Sequence, residues 1–169
     1  MSSRPGLAVA RHARGSPASP SAVGRCTLTT THTHCVDPAT AHALADGYLA
    51  YSTSGDTSVL AMFSPGFYDN VSKTRGLDIF GVVSRWLDES FVDRSADLHL
   101  VTHTDDTVVI WYTAYGRHIG NGFPRLKGLP SNGNRSAWPQ VHIFRLAEGL
   151  VVEHWAVRDD AAMLDAVRA

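Results

Sequence analysis

Trp138-Pro-Gln-Val-His-Ile-Phe-Arg-Leu-Ala-Glu-Gly-Leu-Val-Val-Glu-His-Trp-Ala-Val-Arg-Asp-Asp160 is the stretch on which the reading of the fold turns. Two runs rich in β-branched and aromatic residues flank Ala147-Glu148-Gly149, a compact turn in which Gly149 can supply φ > 0. The pattern predicts an antiparallel hairpin, and strand alternation sorts its side chains. His142 and Phe144 share one face of the first strand. His154, Ala156 and Arg158 share one face of the second, with Glu153, Trp155 and Val157 opposite. A hairpin so built can wall a pocket and arm it with imidazoles.

Upstream, residues 120–136 read as a polar loop rich in Gly and Pro, preceded by strands at about 97–104 and 107–118 joined by Asp105-Asp106. Gly76 to Phe91 carries a strong helical signal, with Ile79, Val82, Val83, Trp86 and Leu87 as a core stripe. Phe67 to Val71 reads as a short strand after the turn Ser64-Pro65-Gly66, and Thr57 to Phe63 as a short helix. Asp37-Pro38 is a good helix start, and Leu44, Tyr48 and Tyr51 mark one face of the helix that follows. Gly47 weakens that helix, and Gly55-Asp56 ends it. A last short helix falls at about Asp160 to Val167. Helices first and four consecutive antiparallel-type strands after them make an α+β pattern. The expected architecture is a cone-shaped curved antiparallel sheet packed on helices, with a small-molecule site in its concavity.

Residues 1–36 are different in kind. They are rich in Ser, Thr, Pro, Arg and Ala, hold Arg4, Arg11, Arg14 and Arg25, and contain no acid before Asp37. Such a stretch is expected to be a disordered tail, with an organelle-targeting segment as the other reading. The domain is therefore expected at 37–169. The chain's 15 basic and 16 acidic residues leave this part net acidic, which argues against a nucleic-acid surface. No run approaches a membrane span. Cys26 and Cys35 read as free thiols in a reducing compartment, hence a cytoplasmic protein. The Thr31-His-Thr-His-Cys35 cluster lacks the fixed geometry a metal needs, so no metal site is expected.

Three stretches carry a family resemblance. Gly116-Arg-His-Ile-Gly120, then Gly128-Leu-Pro-Ser-Asn-Gly133 with Arg135, then His142-Ile-Phe-Arg-Leu146 with Gly149 and Glu153-His-Trp155, together resemble the SnoaL-like polyketide cyclases of the nuclear-transport-factor-2-like superfamily. The resemblance covers the chain from about residue 38. It implies the cone fold, a homodimer formed on the outer sheet face with Trp155 and Val157, and a small hydrophobic ligand. It also implies cofactor-free acid/base chemistry, cyclisation or isomerisation, on a polyketide-like carbonyl compound. In the family a final-strand Asp after His-Trp moves the proton of an intramolecular aldol closure, assisted by a His on the preceding strand. His142 matches the assisting position, but Ala156 stands where the Asp would be.

The catalytic candidates are therefore His142, with Asp69 or His154 as partner. Imidazole titrates near neutrality, and a carboxylate in an apolar cavity would have its pKa raised and could act as a general base. Tyr68, Trp86, Trp111, Phe144 and His118 are the candidate substrate-binding residues. The alternative is a non-catalytic ligand-binding or dimerisation module of the same fold, which Ala156 favours. Two or more titratable groups within hydrogen-bond reach inside the pocket would support catalysis.

Overall fold

The computed structural model describes residues 35–169. The expected tail lies outside the described residues apart from its last two positions, as does most of the Thr31–Cys35 cluster. Cys35 is disulfide-bonded, which corrects the free-thiol reading and removes the cysteine argument for a reducing compartment. Spacing along a sequence does not say whether two sulfurs meet in space.

Helix α1 spans Pro38–Ser54. Asp37 caps it, accepting from the Thr40 N–H at 2.7 Å, and Gly55 ends it in the left-handed conformation with φ 77°. Its inward face buries Leu44, Tyr48 and Tyr51, as the helical spacing predicts. Gly47 has a packing reason: a Cβ there would lie 2.8 Å from Cγ2 of Val59, in the 3-10 turn Ser58–Met62 that replaces the expected short helix.

The remaining elements are β1 (Phe63–Asp69), β2 (Thr74–Arg75), α2 (Asp78–Ser90), β3 (Phe91–His103), β4 (Thr107–His118), β5 (Arg135–Ala147), β6 (Leu150–Arg158) and α3 (Asp160–Arg168). The sheet runs β2-β1-β6-β5-β4-β3. Strands β3 to β6 form the expected antiparallel meander. The α+β fold with its curved sheet stands, but the sheet is mixed, because β1 joins β6 in parallel. A parallel pair needs a long crossover, here residues 70–149, so no local pattern announces it.

One core lies between α1 and the sheet and includes Leu44, Phe63, Phe67, Ile110, Phe144 and Val151. A second, formed by Phe91, Phe123, Leu126, Trp138, Met163 and Val167, closes the other end. Helix α2 packs its apolar stripe against the edges of the two cores. Phe80 is its one fully buried large apolar residue, while Ile79, Val82, Val83, Trp86 and Leu87 remain half-buried. Ile79, Trp86 and Leu87 pack against the edges of the cores, and with Val83 they also line the cavities, which explains apolar character without full burial.

The outer face of the sheet carries an apolar row running across four strands in register: Leu100, Trp111, Val141 and Val157. Trp111 is 46% exposed and Val157 72%. Among the described residues no helix is long and apolar enough to cross a membrane.

Candidate active site

On β5, Ser136, Trp138, Gln140, His142 and Phe144 alternate inward and are buried, while the residues between them point outward. His154 is inward on β6 and buried. The parallel pairing then sets Asp69, the last residue of β1, directly beside His154. The three titratable candidates meet in one line. Asp69 Oδ1 lies 2.9 Å from Nδ1 of His154, and Nε2 of His154 lies 2.9 Å from Nδ1 of His142. The two imidazole planes are within 10° of parallel.

Asp69 is the fixed end of this line. Besides His154, its carboxylate accepts from the backbone N–H groups of Val71 and Ser72, each at 3.1 Å, and from the Ser72 hydroxyl at 2.5 Å. Burial opposes its ionisation, but the hydrogen bonds from His154 and Ser72 outweigh burial and hold the carboxyl well below its usual range. This reverses the expected raised pKa. The groups around the Asp69 carboxylate are donors rather than hydrocarbon, which favours the anion.

An ionised Asp69 can only accept, so His154 donates to it from Nδ1. Nε2 of His142 is the outermost nitrogen of the line. That atom faces Oε1 of Gln140 at 3.1 Å and the Tyr112 hydroxyl at 3.4 Å, which in turn lies 3.3 Å from the Ser52 hydroxyl. With a proton added at Nε2, His142 donates to Gln140 Oε1; without it, a half-turn of the amide offers an N–H instead. One residue thus accommodates both protonation states. Burial first, then the charges of His154 and Arg158, push the His142 pKa well below its ordinary value, with Asp69 partly opposing. His142 is therefore neutral at neutral pH. Burial also pushes the Tyr112 hydroxyl up to about 12, so it remains a donor.

Two adjoining cavities meet at His142 and Arg158. The first encloses about 630 Å³, its open mouth included, and is walled by Tyr48, Tyr112, Trp138, Gln140 and Arg94. The second, about 760 Å³ on the same basis, reaches Asp69, His154, Trp86 and Ala156. Among the described residues no group of three or more His, Cys, Asp or Glu is arranged to hold a metal ion.

Of the expected binding residues, Trp86 lines the second cavity. Phe144 lies behind the relay, its ring 4.9 Å from that of His154 and 4.9 Å from that of Tyr48, so it supports the imidazoles from the core side. Three others are placed elsewhere. Tyr68 follows the alternation away from Asp69 and packs under the Arg75 guanidinium at 5.1 Å. Trp111 sits between inward Ile110 and Tyr112 and so faces outward. His118 is fully buried beyond the cavity. One ring nitrogen lies 2.7 Å from the Gly120 carbonyl and the other 3.3 Å from Asn132 Oδ1, so it fastens the loop rather than lining a site. Sequence reasoning missed Tyr48, Gln140, Arg94 and Arg158 as site residues. For Gln140 and Arg158 the signal was present, since each shares strand parity with a relay histidine.

The cavities of this curved α+β fold thus converge on a hydrogen-bonded carboxylate and two imidazoles. Residues 42–167 match the family model of the SnoaL-like polyketide cyclase, and the chain belongs to that family. It is 31% identical over 115 residues to the aklanonic acid methyl ester cyclase DnrD of Streptomyces peucetius, across 62% of this chain and 74% of the relative. TsrD from Streptomyces laurentii has a similar structure, with a TM-score of 0.68 and 25% identity over 78% of this chain and 97% of that one. AclR from Streptomyces galilaeus shares the fold, with a TM-score of 0.64 and 24% identity over 78% and 87% of the two chains.

Proposed function

We propose that this chain is a cofactor-free cyclase that closes a ring in an aromatic polyketide-like carbonyl compound by intramolecular aldol chemistry. The observation that carries the reading is the Asp69–His154–His142 line, with His142 in the wall of the first cavity. His142 takes a proton from the carbon beside one carbonyl. The enolate carbon bonds to a second carbonyl carbon of the same molecule. The oxygen of that carbonyl becomes an alkoxide and recovers the proton from His142. His154 and Asp69 stabilise the imidazolium in between, while the Tyr112 hydroxyl and the Arg158 charge stand on the side where oxygen becomes negative. The relay supplies the acid/base function that Ala156 lacks. Positioned proton transfer of this kind contributes typically about 10²- to 10⁴-fold in rate.

Ala156 supports a second reading, a ligand-binding module, because it brings an inert methyl group to the second cavity. One assay separates the two. The purified protein is incubated with aklanonic acid methyl ester, the compound named for DnrD, and ring closure is followed by chromatography. Closure above background in the wild type, falling to background in His142→Gln, is expected. Background closure in the wild type together with saturable binding of the same compound would establish the module instead.

The exposed apolar row on the outer sheet face supports a homodimer. Its residues lie on four adjacent strands and make a self-complementary surface of the kind that pairs isologously.

A further inference from the structure

Arg158 stands in the wall of both cavities, with its side chain 26% exposed. Among the described residues its guanidinium makes no hydrogen bond. Oδ1 of Asp160, the carboxylate oxygen beside it, is 3.7 Å away and has no hydrogen-bond partner. Asp160 is engaged instead through Oδ2, which lies 2.9 Å from Nε of Arg125. Two arginines share that one carboxylate, so the charge of Arg158 is not cancelled. What seats the guanidinium is aromatic: its carbon lies 5.6 Å from the centre of the Phe123 ring and 5.9 Å from that of Trp138. The two rings meet edge-on at 5.0 Å. Ring faces steady a cation and leave its N–H donors free.

The other arginine of the first cavity is committed. Strand β3 shifts register between Val92 and Ser95, where Asp93 takes a left-handed φ of 53°, and this bulge turns Arg94 inward. There Nε of Arg94 donates to the Thr53 carbonyl at 3.0 Å and Nη2 to Asp88 at 2.7 Å. Arg158 is placed for chemistry instead. The β5–β6 register sets Ala156 opposite His142 and Arg158 opposite Gln140, so Arg158 and His142 are diagonal neighbours on one face. On β6 only the methyl group of Ala156 stands between them, and a flat ligand lying across it can reach both.

We propose that Arg158 donates to the carbonyl oxygen next to the carbon that His142 deprotonates, so that the site holds its ligand as an enolate or phenolate anion. This rests on the cyclase reading above and names the substrate class: a flat aromatic ketone whose reacting carbon is conjugated to an oxygen that can carry the negative charge. The proton passes from carbon to His142. The electron pair of the C–H bond moves onto that oxygen, and Arg158 holds the oxygen until the pair forms the new carbon–carbon bond. An ester substrate meets this requirement, because the charge arises at oxygen during the reaction. His142 is a weak base in its buried position, and a weak base needs the anion it creates to be stabilised. The planar guanidinium fork suits a delocalised oxyanion.

The test is a visible-absorption pH titration of 2-hydroxyanthraquinone, whose phenolate differs in colour from its phenol, alone and bound to the full chain. In the complex the midpoint of the colour change is expected to move to lower pH, by the amount that phenolate binding at least about tenfold tighter than phenol binding produces. Tenfold is the low end of what a hydrogen bond to a charged group contributes. The preference should fall below about threefold in Arg158→Met and drop severalfold in Arg158→Lys, whose ammonium is a single point charge. An unmoved midpoint in the wild type overturns the proposal. So does an undiminished preference in the Arg158 variants, and Arg158→Lys carries the test if Arg158→Met does not fold. His142→Gln is expected to keep the preference. In the wild type, ring closure without phenolate preference removes this role of Arg158 alone, and the preference without ring closure removes the cyclase reading alone.

Discussion

Oδ1 of Asp69 lies 2.9 Å from Nδ1 of His154, across a parallel strand pair that joins residues 85 positions apart. This contact fixes the proton on Nδ1 of His154. It ties one nitrogen of His154 to an anion and turns the other toward Nδ1 of His142.

Asp69→Asn tests that direction. The amide keeps the shape but can donate as well as accept, so His154 is no longer held in one tautomer. Turnover of a cyclisable polyketide ester should fall between about 10²- and 10⁴-fold with little change in KM. Unchanged kcat in a folded variant would remove Asp69 from the relay.

Acid should destabilise the protein in two steps. His142 and Asp69 both have pKa values lowered in the fold, from ordinary values of 6.5 and 3.8. The unfolded chain therefore binds more protons, and stability rises with pH. The His142 contribution is fully present above about pH 6.5 and is lost as pH falls below it; that of Asp69 follows below about pH 4. Melting temperatures measured from pH 8 to pH 3 should fall along both limbs. The upper limb should flatten in His142→Gln, whose amide can still bond to His154.

The rate profile should follow the same sign. Neutral His142 is the active form, so kcat/KM should stay level down to about pH 6.5 or below. Ala156→Asp places a carboxylate on the strand position directly opposite His142. That charge favours the imidazolium and should move the acid limb of the profile, and the His142 imidazole resonance in an NMR titration, to higher pH. No movement in either would show that position 156 does not communicate with His142.

Outer-face charge should separate a dimer. Trp111→Lys combined with Val157→Lys puts two cations into the exposed apolar row without touching the cavity. Analytical ultracentrifugation should show a dimer for the wild type and a monomer for the double variant, with an unchanged fold by circular dichroism. A wild-type monomer would refute the interface.

Much of the fold was legible because local rules governed it. Asp37 and Pro38 marked a helix start through capping chemistry, the strand over 107–118 emerged from alternation, and Gly149 closed its turn with φ of 79°. The same alternation put His142 and His154 on inward faces. Trp111 and Tyr68 were expected in the site and lie outside it; the same alternation, applied to their neighbours Tyr112 and Asp69, carries the signal that they face outward. The stripe on α2 does pack against the cores, but its periodicity gave no sign that the same residues also line the cavities.

The sequence alone therefore determined the order of the elements, their inward faces, the family, and the substitution of alanine for an acid at 156. Tertiary structure alone decided the site. The parallel pairing of β1 with β6 brought Asp69 to His154, and the bulge at Asp93 turned Arg94 inward. Periodicity records which face of a strand is buried, but non-local pairing and bulge geometry are settled by packing among elements far apart in the chain.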